Sequence, residues 1–208
     1  MIKFNMKQNN LYPILTRFGD YYPLDLHLNL NLNNLKNYNW IQYNPSKNIN
    51  REALSITSLD GEMSGIPDLD SLYEYYNRTG IAHTENDFTA KTEIYKYFSE
   101  VLDPLKKHIG RTHIIRLNSG GYFPPHRDNK HFDIHSFRLF LPVTYDTSNN
   151  FFILENTKLE FQSNQLYFID TALTHTVFNT QLNPWYFVVI NVNLTEESIK
   201  DTLKYITG

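Results

Sequence analysis

From Arg111 onward the chain never sustains one texture for long, and this restricts its fold more than any other feature. Short apolar runs follow one another: Thr112–Leu117, Tyr122–Pro125, Phe137–Thr144, Phe151–Glu155, Leu159–Phe161, Leu166–Asp170, Thr176–Asn179 and Tyr186–Leu194. Gly, Pro, Asn and Ser separate them, as turn residues separate strands. Many short strands at near-regular spacing close into a sandwich or barrel, here of jelly-roll type. Tyr 15, Phe 14 and Trp 2 together make 15% of the residues, and such rings favour strands and pocket walls.

The first half is mixed. Leu24, Leu26, Leu28, Leu30 and Leu32 alternate with polar residues, as in a half-buried strand; Leu28, Leu32 and Leu35 also fit a helical stripe. Asp68 or Asp70 is placed to cap a short helix through Tyr76, with Gly80 beyond its end. Ile94, Tyr95, Phe98, Val101, Leu102, Leu105 and Ile109 form an amphipathic stripe over Thr92–Ile109, which Pro104 kinks or splits. Thr195 suits the N-cap of a final helix, although Ser198 stands where a capping box has Glu or Gln. The expected fold is therefore mostly β (α+β): one domain over 1–208 with a jelly-roll core. Residues 1–109 form a mixed region whose N-terminal helices pack on a core of residues 110–194, and 195–208 form a C-terminal helix.

Composition narrows the function. Lys+Arg 19 against Asp+Glu 22 leaves a net charge of −3, which gives no general reason to bind nucleic acid or an acidic membrane. Cys 0 excludes disulfides, cysteine metal sites and thiol nucleophiles. No apolar run approaches the about 20 residues of a spanning helix. Met1–Asn10 is polar and lacks the apolar core of a secretory leader, so a cytoplasmic address is expected.

One constellation carries chemistry. His126-Arg127-Asp128 is a His-x-Asp unit, and on a strand residues i and i+2 share a face. An imidazole and a carboxylate can then meet one metal while Arg127 turns away. His175, at the start of a later strand, would complete a set of two histidines and one carboxylate. That set occupies one face of an octahedron, leaves three positions open, and is the ligand set of non-haem Fe(II) oxygenases. A lone His-x-Asp is a weak motif, and His131 and His135 nearby offer other combinations.

Several separate blocks resemble the aspartyl/asparaginyl β-hydroxylase family. They are Gly110-Arg111-Thr112, Arg116-Leu117, Ser119-Gly120, Pro124-Pro125-His126-Arg127-Asp128, Arg138-Leu139-Phe140-Leu141-Pro142-Val143, and Asp170 followed by His175-Thr176-Val177-Phe178-Asn179 and Val188-Val189-Ile190-Asn191. The resemblance spans about Gly110 to Asn191. It implies a Fe(II)- and 2-oxoglutarate-dependent dioxygenase with a double-stranded β-helix (jelly roll, cupin-like) core. Such an enzyme hydroxylates an unactivated carbon of a small molecule, amino acid or peptidyl side chain, consumes dioxygen, and releases succinate and CO2. His126, Asp128 and His175 would be its catalytic metal ligands. Asp128 argues for hydroxylation over halogenation, because halogenating relatives lack this carboxylate. Arg138 would face the cleft and hold a 2-oxoglutarate carboxylate; the plainer alternative is a structural ion pair in the barrel mouth.

The chain departs from the family at one place. The family usually carries an arginine ten residues after the distal histidine, to grip the far carboxylate of 2-oxoglutarate, and here that place is Trp185. A neutral indole cannot replace a bidentate guanidinium. Arg138, or Arg116 with Ser119, is expected to supply the grip instead. Two alternatives stay open: a cupin-like metalloenzyme using no 2-oxoglutarate, and a non-catalytic binding module on the same fold.

Overall fold

The structure is a computed structural model, and it describes residues 11–47, 49–128 and 135–206. Met1–Asn10 and His131, on which expectations were placed, lie outside the described residues. The elements run α1 (Tyr12–Thr16), β1 (Tyr21–His27), β2 (Ile41–Gln42), β3 (Arg51–Ser55), β4 (Thr57–Ser58), α2 (Leu72–Thr79), β5 (Ala90–Lys91), α3 (Ser99–Leu102), β6 (Ile109–Leu117), β7 (Tyr122–His126), β8 (Ser136–Pro142), β9 (Asn150–Leu154), β10 (Thr157–Leu159), β11 (Gln165–Ile169), β12 (His175–Asn179), β13 (Trp185–Asn193) and α4 (Glu196–Leu203). A seven-stranded sheet, β1-β11-β8-β13-β6-β3-β2, faces a four-stranded sheet, β10-β9-β12-β7. This is the mostly β jelly roll that the short runs imply.

The first half contributes more strand than its sequence suggests. β1 pairs with β11 and β3 with β6, so both belong to the large sheet rather than resting on it. The stripe over Thr92–Ile109 is buried as expected, but its backbone is not one helix. It breaks into 3-10 turns at Tyr95–Tyr97 and Asp103–Leu105 around the single turn of α3, and Ile109 already starts β6. Pro104 lies in the second of these turns, where it lacks the N–H that a continuing helix needs. The cap of α2 is Ser71, not Asp68 or Asp70: its side chain accepts from Glu74 N, and Gly80 closes the helix at φ 74. Asp68 and Asp70 are instead buried at 2% exposure. At α4, Thr195 and Ser198 exchange side-chain-to-backbone hydrogen bonds, so serine completes the box that Glu or Gln usually makes.

Alternation across the large sheet separates two cores. Ile114, Leu139, Leu141, Leu166, Phe168, Val188 and Ile190 point outward and pack with Leu15, Ile94, Phe98, Val101 and Leu102 from the N-terminal elements. Ala53, Ile115, Leu117, Phe140, Tyr167, Ile169, Trp185 and Phe187 point inward and meet Phe152, Leu154 and Val177 from the small sheet. Each fully buried side chain of this size stabilises the fold by about 1.5–3 kcal/mol. The outer layer thus anchors the sheet, and the inner layer is free to shape a cavity. Among the described residues, no helix is long and apolar enough to cross a membrane.

Candidate metal centre

Two neighbouring strands of the small sheet bring the His-x-Asp unit and the distant histidine together. His175 on β12 stands directly opposite His126 on β7 in the strand register, with ring centroids 4.2 Å apart. Asp128 follows the end of β7, and its backbone N–H donates to Thr171 O at 3.0 Å, which turns the carboxylate inward. Asp128 Oδ1 lies 3.3 Å from His126 Nε2, and Asp128 Oδ2 lies 3.8 Å from His175 Nε2. One ligand atom from each of the three lies within 4.8 Å of the others.

The tautomers suit a metal. His126 Nδ1 is 2.7 Å from Pro124 O, and His175 Nδ1 is 3.1 Å from Leu173 O. A carbonyl oxygen only accepts, so each Nδ1 donates to its carbonyl and each Nε2 is the nitrogen turned towards Asp128. Burial pushes the His175 imidazole below its ordinary value, against the pull of Asp128, so it stays neutral and able to ligate. Burial alone would raise the Asp128 carboxyl. The charge of Arg138 and the hydrogen bond with His126 outweigh it and hold the group well below the usual carboxylate range. Two imidazole Nε2 atoms and one ionised carboxylate, brought together in this way, fit a divalent cation such as Fe(II).

A second group, His108, Glu197 and Asp201, meets the same distance limit near α4. There Lys204 Nζ sits 2.6 Å from Asp201 Oδ1 and already neutralises it.

The other four expected residues fall in different places. Arg138 does reach the centre: its Nε lies 2.5 Å from Asp128 Oδ2, and its Nη2 lies 3.4 Å from Glu85 Oε1. Burial works against its charge, but these two carboxylates restore it and hold its pKa above the ordinary value. Arg116 is carried away from the cavity. Alternation on β6 sends it outward, where it pairs with Glu52 at 2.7 Å and lies over the Trp40 ring at 4.6 Å. Ser119 is exposed in the turn between β6 and β7, and its carbonyl accepts from Asn50 Nδ2 at 2.9 Å. The grip expected from Arg116 with Ser119 is therefore absent from the cavity. Trp185 is fully buried, packed on Phe187 at 5.0 Å, Tyr145 at 5.9 Å and Phe140 at 6.2 Å.

The centre opens into a cavity between the sheets, floored by ranks of side chains that the register defines. Arg138 lies across from Asn191, whose Nδ2 donates to Arg111 O at 2.7 Å, so the rank nearest Asp128 is polar. The next rank is Phe140, Val189 and His113, and the next Pro142, Phe187 and Ile115. Trp185 and Leu117 form the last. Polarity thus falls away from the metal centre, and aromatic and aliphatic groups fill the end where the family places its arginine.

His113 is the functional candidate the sequence reading missed. It lines the cavity at 2% exposure, packs 5.0 Å from the Tyr43 ring at a tilt, and has no hydrogen-bond partner on either ring nitrogen among the described residues. Burial, then the charges of Arg111 and Arg138, hold its pKa well below the ordinary value, so the ring is neutral. The available signal was its place two residues before Ile115 on a strand, which gives both the same face.

A jelly roll whose mouth gathers two histidines and a carboxylate on adjoining strands has the make-up of a non-haem metal enzyme. The chain belongs to the aspartyl/asparaginyl beta-hydroxylase family, whose model it matches over residues 45–193. The match begins well before Gly110, where the blocks visible by eye began. No curated protein sequence matches the chain. Among solved structures it is similar to an oxidoreductase of the 2OG-Fe(II) oxygenase family from Burkholderia pseudomallei, at 13% identity and a TM-score of 0.42, covering 74% of this chain and 73% of that one. It is also similar to KdgF from Halomonas sp. (8% identity, TM-score 0.38, 77% of this chain and 90% of that one). A Cupin 2 conserved barrel domain protein from Salinispora arenicola matches at 9% identity and a TM-score of 0.31, over 45% of this chain and 69% of that one.

Proposed function

We propose that the protein is a non-haem Fe(II)- and 2-oxoglutarate-dependent dioxygenase that hydroxylates an unactivated carbon of a small molecule, amino acid or peptidyl side chain. Succinate and CO2 would be the co-products. The observation that carries this reading is the convergence of two imidazole Nε2 atoms and one ionised carboxylate at the mouth of an apolar cavity.

In this reading His126, Asp128 and His175 hold the iron, which supplies the activation of dioxygen that side chains lack. Pro124 O and Leu173 O fix the ring orientations through the Nδ1 protons. Arg138 orients the Asp128 carboxylate, keeps it ionised, and presents a cation at the cavity mouth for a keto-acid carboxylate. Phe123, Phe140, Phe152, Val177 and Phe187 keep water from the cavity walls. Tyr73, 74% exposed, stands with Asp70 and Leu72 beside the outer groove that leads to His126, where a substrate would approach.

The test is succinate release from 2-oxoglutarate by Fe(II)-loaded protein in air, with a panel of amino acids and peptides. The reading expects release that a substrate stimulates and that Asp128→Ala abolishes. Absence of release from protein shown to bind iron would contradict it. The aromatic fill around Trp185 favours one other reading, a metalloenzyme on this barrel that uses no 2-oxoglutarate. It would bind iron equally well and ignore the keto acid.

A further inference from the structure

We infer that His113 binds the far carboxylate of 2-oxoglutarate, supplying from β6 the grip that β13 no longer carries. The inference rests on the dioxygenase reading above and deepens it.

The place on β13 where the family carries its arginine holds Trp185, which packs into the aromatic core and does not line the cavity. The next inward position on that strand is Phe187, and the one opposite it on β6 is Ile115. Neither offers a hydrogen bond. A carboxylate pushed to that end would lose its water and find no donor on the lining, because Trp185, whose Nε1–H is also buried and unpartnered among the described residues, does not line the cavity, and this is a steep penalty for a charge. The far end of a dicarboxylate must therefore be met nearer the metal.

His113 stands one rank closer, opposite Val189 on β13 and Ser55 on β3. Both its nitrogens are buried, and both lack a partner among the described residues. A buried polar group without a partner costs free energy, and protein interiors rarely tolerate two such atoms on one ring unless a ligand uses them. The ring lines the same cavity as Asp128, Arg138 and His175. Tyr43 packs against it at 5.0 Å and fixes its plane. Its cationic surroundings also favour an anion. Arg111 and Arg138 share Glu85, at 3.5 and 3.4 Å, and Arg138 is paired with Asp128. Two cations thus balance two carboxylates before a divalent metal adds its charge. In this arrangement Arg138 stays with Asp128 and the metal-side carboxylate, while the protonated nitrogen of His113 donates to the distant one.

Calorimetry on protein loaded with Zn(II), which cannot turn over, tests the inference without activity. The probes are 2-oxoglutarate and 2-oxobutyrate, which shares the keto-acid head but lacks the second carboxylate. His113→Leu should weaken 2-oxoglutarate by about tenfold to a hundredfold, the worth of a hydrogen bond to a charged group, and leave 2-oxobutyrate unchanged. His113→Gln, which keeps a donor, should recover part of the loss. Should either variant fail to fold, the wild-type ring resonances of His113 provide the readout, and they must move with 2-oxoglutarate and stay with 2-oxobutyrate. Wild-type binding of 2-oxoglutarate that survives in His113→Leu, or equal loss of both keto acids, overturns the role of His113 alone. Zn(II)-loaded wild type that binds neither keto acid overturns the dioxygenase reading and this inference together.

Discussion

The two faces of the large sheet carry the same residue types at alternate positions and do different work. On β6, Ile114 and Arg116 point outward; His113, Ile115 and Leu117 point inward. The outward residues meet the N-terminal elements, and their polar partners are satisfied: Arg116 has Glu52 and the face of Trp40. The inward residues meet a cavity, and there both ring nitrogens of His113 are left without a partner among the described residues. On β6 the outward polar side chain is satisfied and the inward one is open. An arginine on β6 can therefore stand away from the cavity, while a histidine three residues earlier on the same strand lines it.

The comparison breaks first at the residues proposed to hold the metal. Asp128→Ala should lower Fe(II) affinity by more than the about tenfold to hundredfold that loss of a supporting outer contact costs, while the chain stays folded. Equilibrium dialysis against Fe(II) under anaerobic conditions measures this. On the opposite face, Phe168→Ala should behave in reverse. Phe168 is fully buried and stacks on Tyr22 at 4.9 Å, so its loss should cost about 3–5 kcal/mol in urea unfolding. Metal affinity of the folded fraction should not change.

A smaller effect sharpens the boundary between the faces. Burial pushes the Asp68 carboxyl up to about 6, despite the Ser55 hydroxyl donating to it. A carboxyl raised in the folded state binds its proton more tightly there than in the unfolded chain. Its contribution to stability is full below the ordinary carboxylate range and is lost as pH rises through about 6. Asp68→Asn should therefore raise the unfolding midpoint at pH 8 and change it little at pH 4, by about 1–3 kcal/mol at the larger end. Thermal unfolding at the two pH values checks the sign. The smallest effect belongs to Arg116→Ala, about 1 kcal/mol at most, with keto-acid affinity unchanged. A large loss of keto-acid binding there would erase the distinction between the faces.

The convergence of His126, Asp128 and His175 was legible because its geometry is local. Two residues apart on a strand means one face, and a later strand opening on histidine needed only to lie alongside. The side on which the β6 residues fall was not legible. Both faces of β6 are covered, so apolar residues occur at successive positions, Ile114, Ile115 and then Leu117, and no alternation shows which way Arg116 or His113 points. Placing Arg116 with Ser119 at the co-substrate failed for that reason. β3 is a further case: Arg51–Ser55 pairs with β6 along its whole length, a partnership that nothing in these five residues signals. The stripe from Ile94 to Leu105 told correctly which side chains are buried, but the same spacing is served by a chain of short turns. Helical periodicity specifies a buried face more firmly than a continuous helix.

The most direct measurement needs no substrate. Fe(II) and then 2-oxoglutarate are added to the protein without oxygen, and the visible absorption of a chelated keto acid is recorded. The account predicts a saturable band that Asp128→Ala abolishes, Arg138→Ala weakens and Arg116→Ala leaves alone. Iron bound with no band at any 2-oxoglutarate concentration would contradict it.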